Sequence, residues 1–224
     1  MFMYAIRVGL LVVILAFFPI VFANADLITV DGDLTDAAWS GAGVITGTDP
    51  QGDALDDHYD MKSTSNLWDP VAMRSFFNAE MWDTLAPDES GNFIDLMINS
   101  DDNQGTGTSW HDAQGVEFYF YYDLSSGTTW GTNYGFYKWN GSSWDIQSES
   151  TNEVARGTYG VEWGVDGYQL GLPDNFEWAV HFDNNVAAVD DYVLEQRGRA
   201  PEPATLALFA LGLGGLYLKR RRSS

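Results

Sequence analysis

The stretch Asp101-Asp102-Asn103-Gln104-Gly105 gathers side-chain oxygens on a chain that a glycine lets turn sharply, which is how a hard cation such as calcium finds its ligands. It lacks the bidentate glutamate of a full EF-hand loop, so Asp112 or Glu117 would have to complete the shell. Without a metal the same residues make an Asx-rich turn. Asp31, Asp33 and Asp36 form a sparser version of the pattern. The aromatic residues offer a second chemistry, since an indole or phenol face stacks on the apolar CH face of a pyranose while nearby amides and carboxylates bind its hydroxyls. Trp110 and Trp130, in turn-like segments beside His111, Asp112 and Asn133, suit that role, and Tyr119 and Tyr121 fall on the outer face of an expected strand. Trp39, Trp163 and Trp178 lie on apolar faces and read as core.

Catalysis finds no such anchor. His58, His111 and His181 are scattered, with no i, i+4 pair or HExxH spacing, and the chain has no cysteine to serve as nucleophile, zinc ligand or disulfide. There is neither a GxSxG elbow nor a phosphate-cradling loop. A glycosidase needs two carboxylates at a set separation, and nothing singles out such a pair among so many acids. The expectation is a protein without catalytic residues.

Five of the chain's 11 Lys and Arg, and one of its 32 acids, sit in its two ends; residues 26–199 therefore carry 6 bases against 31 acids, a formal −25. Such a surface repels phosphate backbones and anionic headgroups, which argues against nucleic acid as a partner and leaves divalent cations acceptable. It also keeps an exported protein soluble. The abundance of aromatic residues argues for a packed core rather than disorder.

Both ends read as addresses. Residues 1–25 hold Arg7, an apolar run over 8–22, and Ala23-Asn24-Ala25, the small-x-small pattern that signal peptidase cuts after. At the other end, Pro201-Glu202-Pro203 precedes an apolar stretch over 204–218 and the basic stop Lys219, Arg220, Arg221 and Arg222. A helix over that stretch is about 22 Å long at 1.5 Å per residue, short of the roughly 30 Å hydrocarbon core, and suits a transient anchor with its bases on the cytoplasmic side. This tail, residues 200–224, resembles the PEP-CTERM sorting signal. The resemblance implies an exosortase as partner, cleavage near residues 201–203, and delivery to the surface or matrix of a Gram-negative bacterium that makes exopolysaccharide.

Between the ends, residues 26–199 read as one domain. Four segments alternate apolar and polar residues with the period of half-buried strands: 94–99, 116–122, 159–165 and 176–182. Turn-forming clusters separate them at 99–107, 125–131 and 140–143, with Asn140-Gly141 marking a tight hairpin. Residues 49–70 show no clear period and read as a long surface loop. The fold class is all-β, a single antiparallel sandwich flanked by the signal helix and the short C-terminal helix. The opening ITVDGDLTDAAWSGA, followed by LMINSDDNQGTG and GVEFYFYYD, resembles family 9 carbohydrate-binding modules and DOMON-like sandwiches. That likeness implies a noncatalytic glycan-binding role, with Trp39 buried behind the Asp-Gly turn. An acidic matrix protein without a small ligand, stabilised by calcium, is the competing expectation, and a cryptic glycoside-active enzyme a third.

Overall fold

The computed structural model describes residues 28–41, 43–52, 59–70, 72–85, 92–110, 113–125, 129–149, 152–171, 175–183 and 191–199, the side chains of 192–199 excepted. Residues 1–27 and the tail beyond 199 lie outside them, as do both expected terminal helices. Thirteen strands follow in order: β1 (Ile45–Thr48), β2 (Met61–Asp69), β3 (Arg74–Met81), β4 (Phe93–Asn99), β5 (Thr108–Trp110), β6 (Ala113–Val116), β7 (Phe118–Asp123), β8 (Tyr134–Trp139), β9 (Trp144–Ile146), β10 (Glu153–Arg156), β11 (Gly160–Asp166), β12 (Asn175–Asp183) and β13 (Asp191–Arg199). One helical turn, α1 (Gly167–Leu170), follows β11, with the Tyr168 N–H capped by the Asp166 side chain.

Antiparallel pairing builds a five-stranded sheet in the order β1-β2-β3-β11-β10 and a six-stranded sheet in the order β13-β12-β4-β7-β8-β9; β5 and β6 form a separate hairpin. The alternation seen in the sequence aims Ile94, Leu96 and Ile98 at Phe118, Phe120, Phe176, Trp178, Val180 and Phe182 within one sheet. From the other sheet come Phe77, Ala79, Val161, Trp163 and Val165, and all join a single buried cluster. Phe77 meets Phe176 and Trp178 edge-on across the two layers, with ring centroids 6.0 and 5.7 Å apart. Each such side chain contributes about 1.5–3 kcal/mol by leaving water, so the two layers hold each other by apolar burial.

Three expectations change. Residues 61–69, taken as loop, are the nine-residue β2 next to the centre of the five-stranded sheet. Its period is hidden because both faces are buried and the inward Asn66 is paired on the next strand: its Nδ2 donates to Ser75 Oγ at 2.8 Å and to the Phe76 carbonyl at 3.0 Å. The strand expected over 116–122 breaks at Glu117, whose carboxylate accepts the Ser100 N–H at 2.7 Å. Val116 therefore packs with Met97 outside the main core, whereas Phe118 points inward.

Trp39 is the third. It is half-buried on the outer side of the five-stranded sheet rather than in the core. Its indole N–H donates to Glu162 Oε1 at 2.7 Å, and Glu162 Oε2 accepts the N–H groups of Gly32 at 2.8 Å and Asp31 at 3.2 Å. The carboxylate of β11 thus clasps the opening segment onto the sheet. Close approach is possible because a Cβ on Gly157 would fall 1.8 Å from the Gly32 carbonyl oxygen.

Burial raises the Glu162 pKa above its ordinary value, and this outweighs the three donors that lower it. The folded chain therefore binds this proton more tightly than the unfolded chain. The resulting stability is complete below the unfolded carboxyl range and is lost as pH rises through the folded pKa. Glu162→Gln must turn an NH2 toward N–H donors, and about 1–3 kcal/mol is expected to be lost at neutral pH. Thermal melts from pH 4 to 8 should show the gap between wild type and Glu162→Gln narrowing as pH rises. A constant gap would contradict the assignment.

Candidate functional site

The outer face of the six-stranded sheet carries aromatic residues where solvent-facing polar ones would be ordinary. Tyr119 of β7 and Tyr137 of β8 are cross-strand partners, and their rings stack 4.7 Å apart at 10°. The Tyr137 ring lies over Gly135, where a Cβ would come within 2.8 Å of it. Trp110, delivered by the β5–β6 hairpin, stacks on Tyr119 at 5.4 Å and 25°. From the edge strand β9, Trp144 reaches over to meet Tyr119 edge-on at 4.7 Å and Trp110 at 5.6 Å, and its cross-strand partner Trp139 packs on it at 5.2 Å. All five rings are half-buried, and Ile146, exposed, extends the patch along β9.

Polar groups border this patch. The hairpin turn between β8 and β9 is tied by Asn140, whose Oδ1 accepts the N–H groups of Ser142 and Ser143 at 3.0 and 2.9 Å and whose Nδ2 donates to Asp145 at 3.0 Å. On the other side, Gln114 is exposed above a small hollow between the β5–β6 hairpin and the sheet, floored by Met97 and Ala179. The arrangement offers apolar ring area beside amides, hydroxyls and a carboxylate, the combination that sugars use.

Of the residues singled out from the sequence, Trp110 is in this cluster and Trp130 is not. Trp130 packs edge-on against Phe120 and Tyr134, on the core side of the same sheet, and its indole N–H donates to the Gln147 carbonyl at 3.2 Å. Asn133 sits in the turn with it, accepting the Thr129 N–H at 3.3 Å. His111 and Asp112 lie outside the described residues. Trp139, Trp144 and Tyr137 were not singled out, since β9 is three residues long and its aromatic partners come from three other strands.

Deeper on the same face, Asp95 of β4 and His181 of β12 stand opposite each other, both buried. The Phe93 ring meets His181 edge-on at 6.4 Å and Tyr121 at 5.6 Å. Burial, then the charges of Asp123 and Asp95, pushes the Tyr121 phenol up to about 12; burial and then the Asp95 charge move Tyr119 well above the usual phenol range, and burial alone raises Tyr137. Histidine spacing in the sequence gave no hint of this pair, because strand register creates it.

The Asp101–Asn103 loop spends its oxygens on its own turn. Asp101 Oδ1 accepts the Asn103 N–H at 3.0 Å and the Thr106 hydroxyl at 2.9 Å, and Asn103 Oδ1 accepts the Gly105 N–H at 3.0 Å. Asp102 is exposed, with φ at 54°. Glu117 does approach, accepting the Thr106 hydroxyl at 2.7 Å. Asp31 and Asp33 likewise cap the turn that follows them. Among the described residues, the acids whose oxygens converge are Asp49, Asp60 and Asp191, within 4.8 Å of one another. Asp60 also accepts the Gly52 N–H at 2.6 Å, and Asp191 the Met61 N–H, which ties the start of β13 to the other sheet.

Comparison with known proteins bears on the tail. The chain carries a PEP-CTERM protein-sorting motif over residues 199–222. That motif marks an exported protein handled by an exosortase, and it leaves the sandwich unassigned. No curated protein and no solved structure matches the chain. Among the described residues no helix is long and apolar enough to cross a membrane; the apolar stretches 8–22 and 204–218 lie outside them.

The phenol shifts are measurable by ultraviolet titration at the tyrosinate band. Tyr121 should ionise near pH 12, and Asp123→Asn, with Asp95→Asn to a smaller extent, should bring that step down by removing charge repulsion. A step that vanishes in Tyr121→Phe but stays in place in Asp123→Asn and Asp95→Asn would show that the phenol does not feel these charges.

Proposed function

We propose that the exported protein is a noncatalytic glycan-binding module, displayed at the cell surface or in the extracellular matrix of a Gram-negative bacterium after signal peptidase and exosortase have acted on its ends. The half-exposed cluster of Trp110, Tyr119, Tyr137, Trp139 and Trp144, bordered by Asn140, Asp145 and Gln114, carries this reading. The sorting motif supports export, and the strong negative charge favours a neutral or cation-bridged polysaccharide over an anionic polymer. Within the cluster, stacking consumes both faces of Tyr119, so Trp139 and Trp144 at the sheet edge are the rings with area to offer a sugar.

A second reading, an acidic structural matrix protein stabilised by calcium, draws on the same stacking, for rings that pack on each other also serve to cover a sheet.

Calorimetric titration of the processed protein against a panel of soluble polysaccharides, with calcium and then with a chelator, separates the two. Saturable binding to one glycan is expected, weakened about tenfold in Trp144→Ala, the loss of roughly 1.4 kcal/mol that one stacked ring supplies. Trp130→Ala should lower the melting temperature and leave affinity unchanged. Silence across the panel, with calcium alone raising the melting temperature, would replace the glycan reading with the matrix one.

A further inference from the structure

The sorting motif begins inside the folded sheet. Its first residue, Arg199, is the last of β13 and is paired with Asn175 of β12; Gly198, Arg197 and Gln196 pair with Phe176, Glu177 and Trp178. Four residues, 200–203, separate that pair from the apolar stretch starting at Ala204, and two of them, Pro201 and Pro203, have no N–H with which to extend a ladder. From Arg199 to Ala204 a fully extended chain spans about 17 Å at roughly 3.4 Å per residue. The headgroup layer takes roughly 5–7 Å of that. An enzyme acting on residues 200–203 at the membrane would have to work in the remaining gap, beneath an intact sandwich.

β13 is built to yield at this end. Its pairing with β12 shifts register between Trp178 and Val180, so residues 196–199 form a ladder separate from residues 191–193. The near end is anchored twice, by its ladder to β12 and by the Asp191 carboxylate on the Met61 N–H of the opposite sheet. β13 is an edge strand, hydrogen-bonded to β12 on one side, and it packs against β1 and β2 of the other sheet. Enzymes that act on peptides hold them as extended strands through main-chain hydrogen bonds, and those are the groups that β12 occupies.

We propose that residues 196–199 belong to the processing site: the end of β13 peels from β12 as far as the register shift, and the exosortase takes it as an extended strand, so folding of the sandwich sets the rate of sorting.

The chain has no cysteine, so a single engineered disulfide can lock the strand. Glu177→Cys with Arg197→Cys places the pair across the ladder. In cells carrying the exosortase, pulse-chase of the oxidised full-length protein is expected to show cleavage at least tenfold slower than in Arg197→Cys alone. Inserting eight Gly/Ser residues after Arg199 should restore the rate in the locked protein. Equal cleavage of locked and unlocked protein would overturn the proposal. So would a locked protein that stays uncleaved with the insert when its unlocked counterpart is processed, since the defect would then lie in the disulfide and not in the reach of the strand.

Discussion

With 32 acidic side chains and 11 basic ones, five of the latter in the two ends, this fold must hold its carboxylates without cations to pair them. Among the described residues two ion pairs are seen, Lys62 with Glu80 and Arg74 with Glu153. Main-chain N–H groups do most of the work instead. Glu162 takes two of them and an indole, Glu117 takes Ser100, Asp191 takes Met61, and Asp60 takes Gly52. Three of these contacts span separate segments: the opening segment and β11, the hairpin region and the end of β4, and the two sheets. A carboxylate on an N–H donor is a charge-assisted bond, stronger than the neutral kind, so these acids serve the architecture as well as the surface, although at Glu162 burial costs the charge more than its donors return.

The aromatic residues divide into two populations by face. Those inside, such as Trp163 and Trp178, are fully buried with their indole N–H groups unpartnered, so packing outweighs the lost hydrogen bond. Those on the outer face of the six-stranded sheet stack on one another and stay half in water. Sheet twist and the short β9 bring Trp139 and Trp144 to the rim, where ring area remains for a ligand. The same sheet ends in β13, so the binding face proposed for the domain and the tail that delivers it are parts of one layer.

Much of the fold was legible because a strand's period is local. The alternation at 94–99 and 176–182 gave the right faces, and Asn140-Gly141 gave the β8–β9 turn. β2 was missed because both of its faces are buried and the inward Asn66 is satisfied by Ser75 and Phe76 of the adjoining strand, which hides the alternation. Trp39 was misplaced for a related reason: its polarity is answered by Glu162, 123 residues away. Trp110 and Trp130 look alike in sequence, each in a polar turn, yet strand order puts them on opposite faces of one sheet.

What the sequence determined alone was whatever is written in consecutive residues: the sorting motif with its tripeptide, apolar stretch and bases, the all-β class, the acidic charge and the turns. Tertiary structure decided every feature that needs strands to be laid side by side. These include the Asp95–His181 pair, the five-ring cluster, the convergence of Asp49, Asp60 and Asp191, and the pairing of Arg199 with Asn175 that runs the motif into the sheet. The physical reason is that side-chain period is set by each residue's own backbone geometry. Register and strand order are set by which apolar faces find each other, and such partners can lie 123 residues apart in the chain, as Tyr59 and Phe182 do.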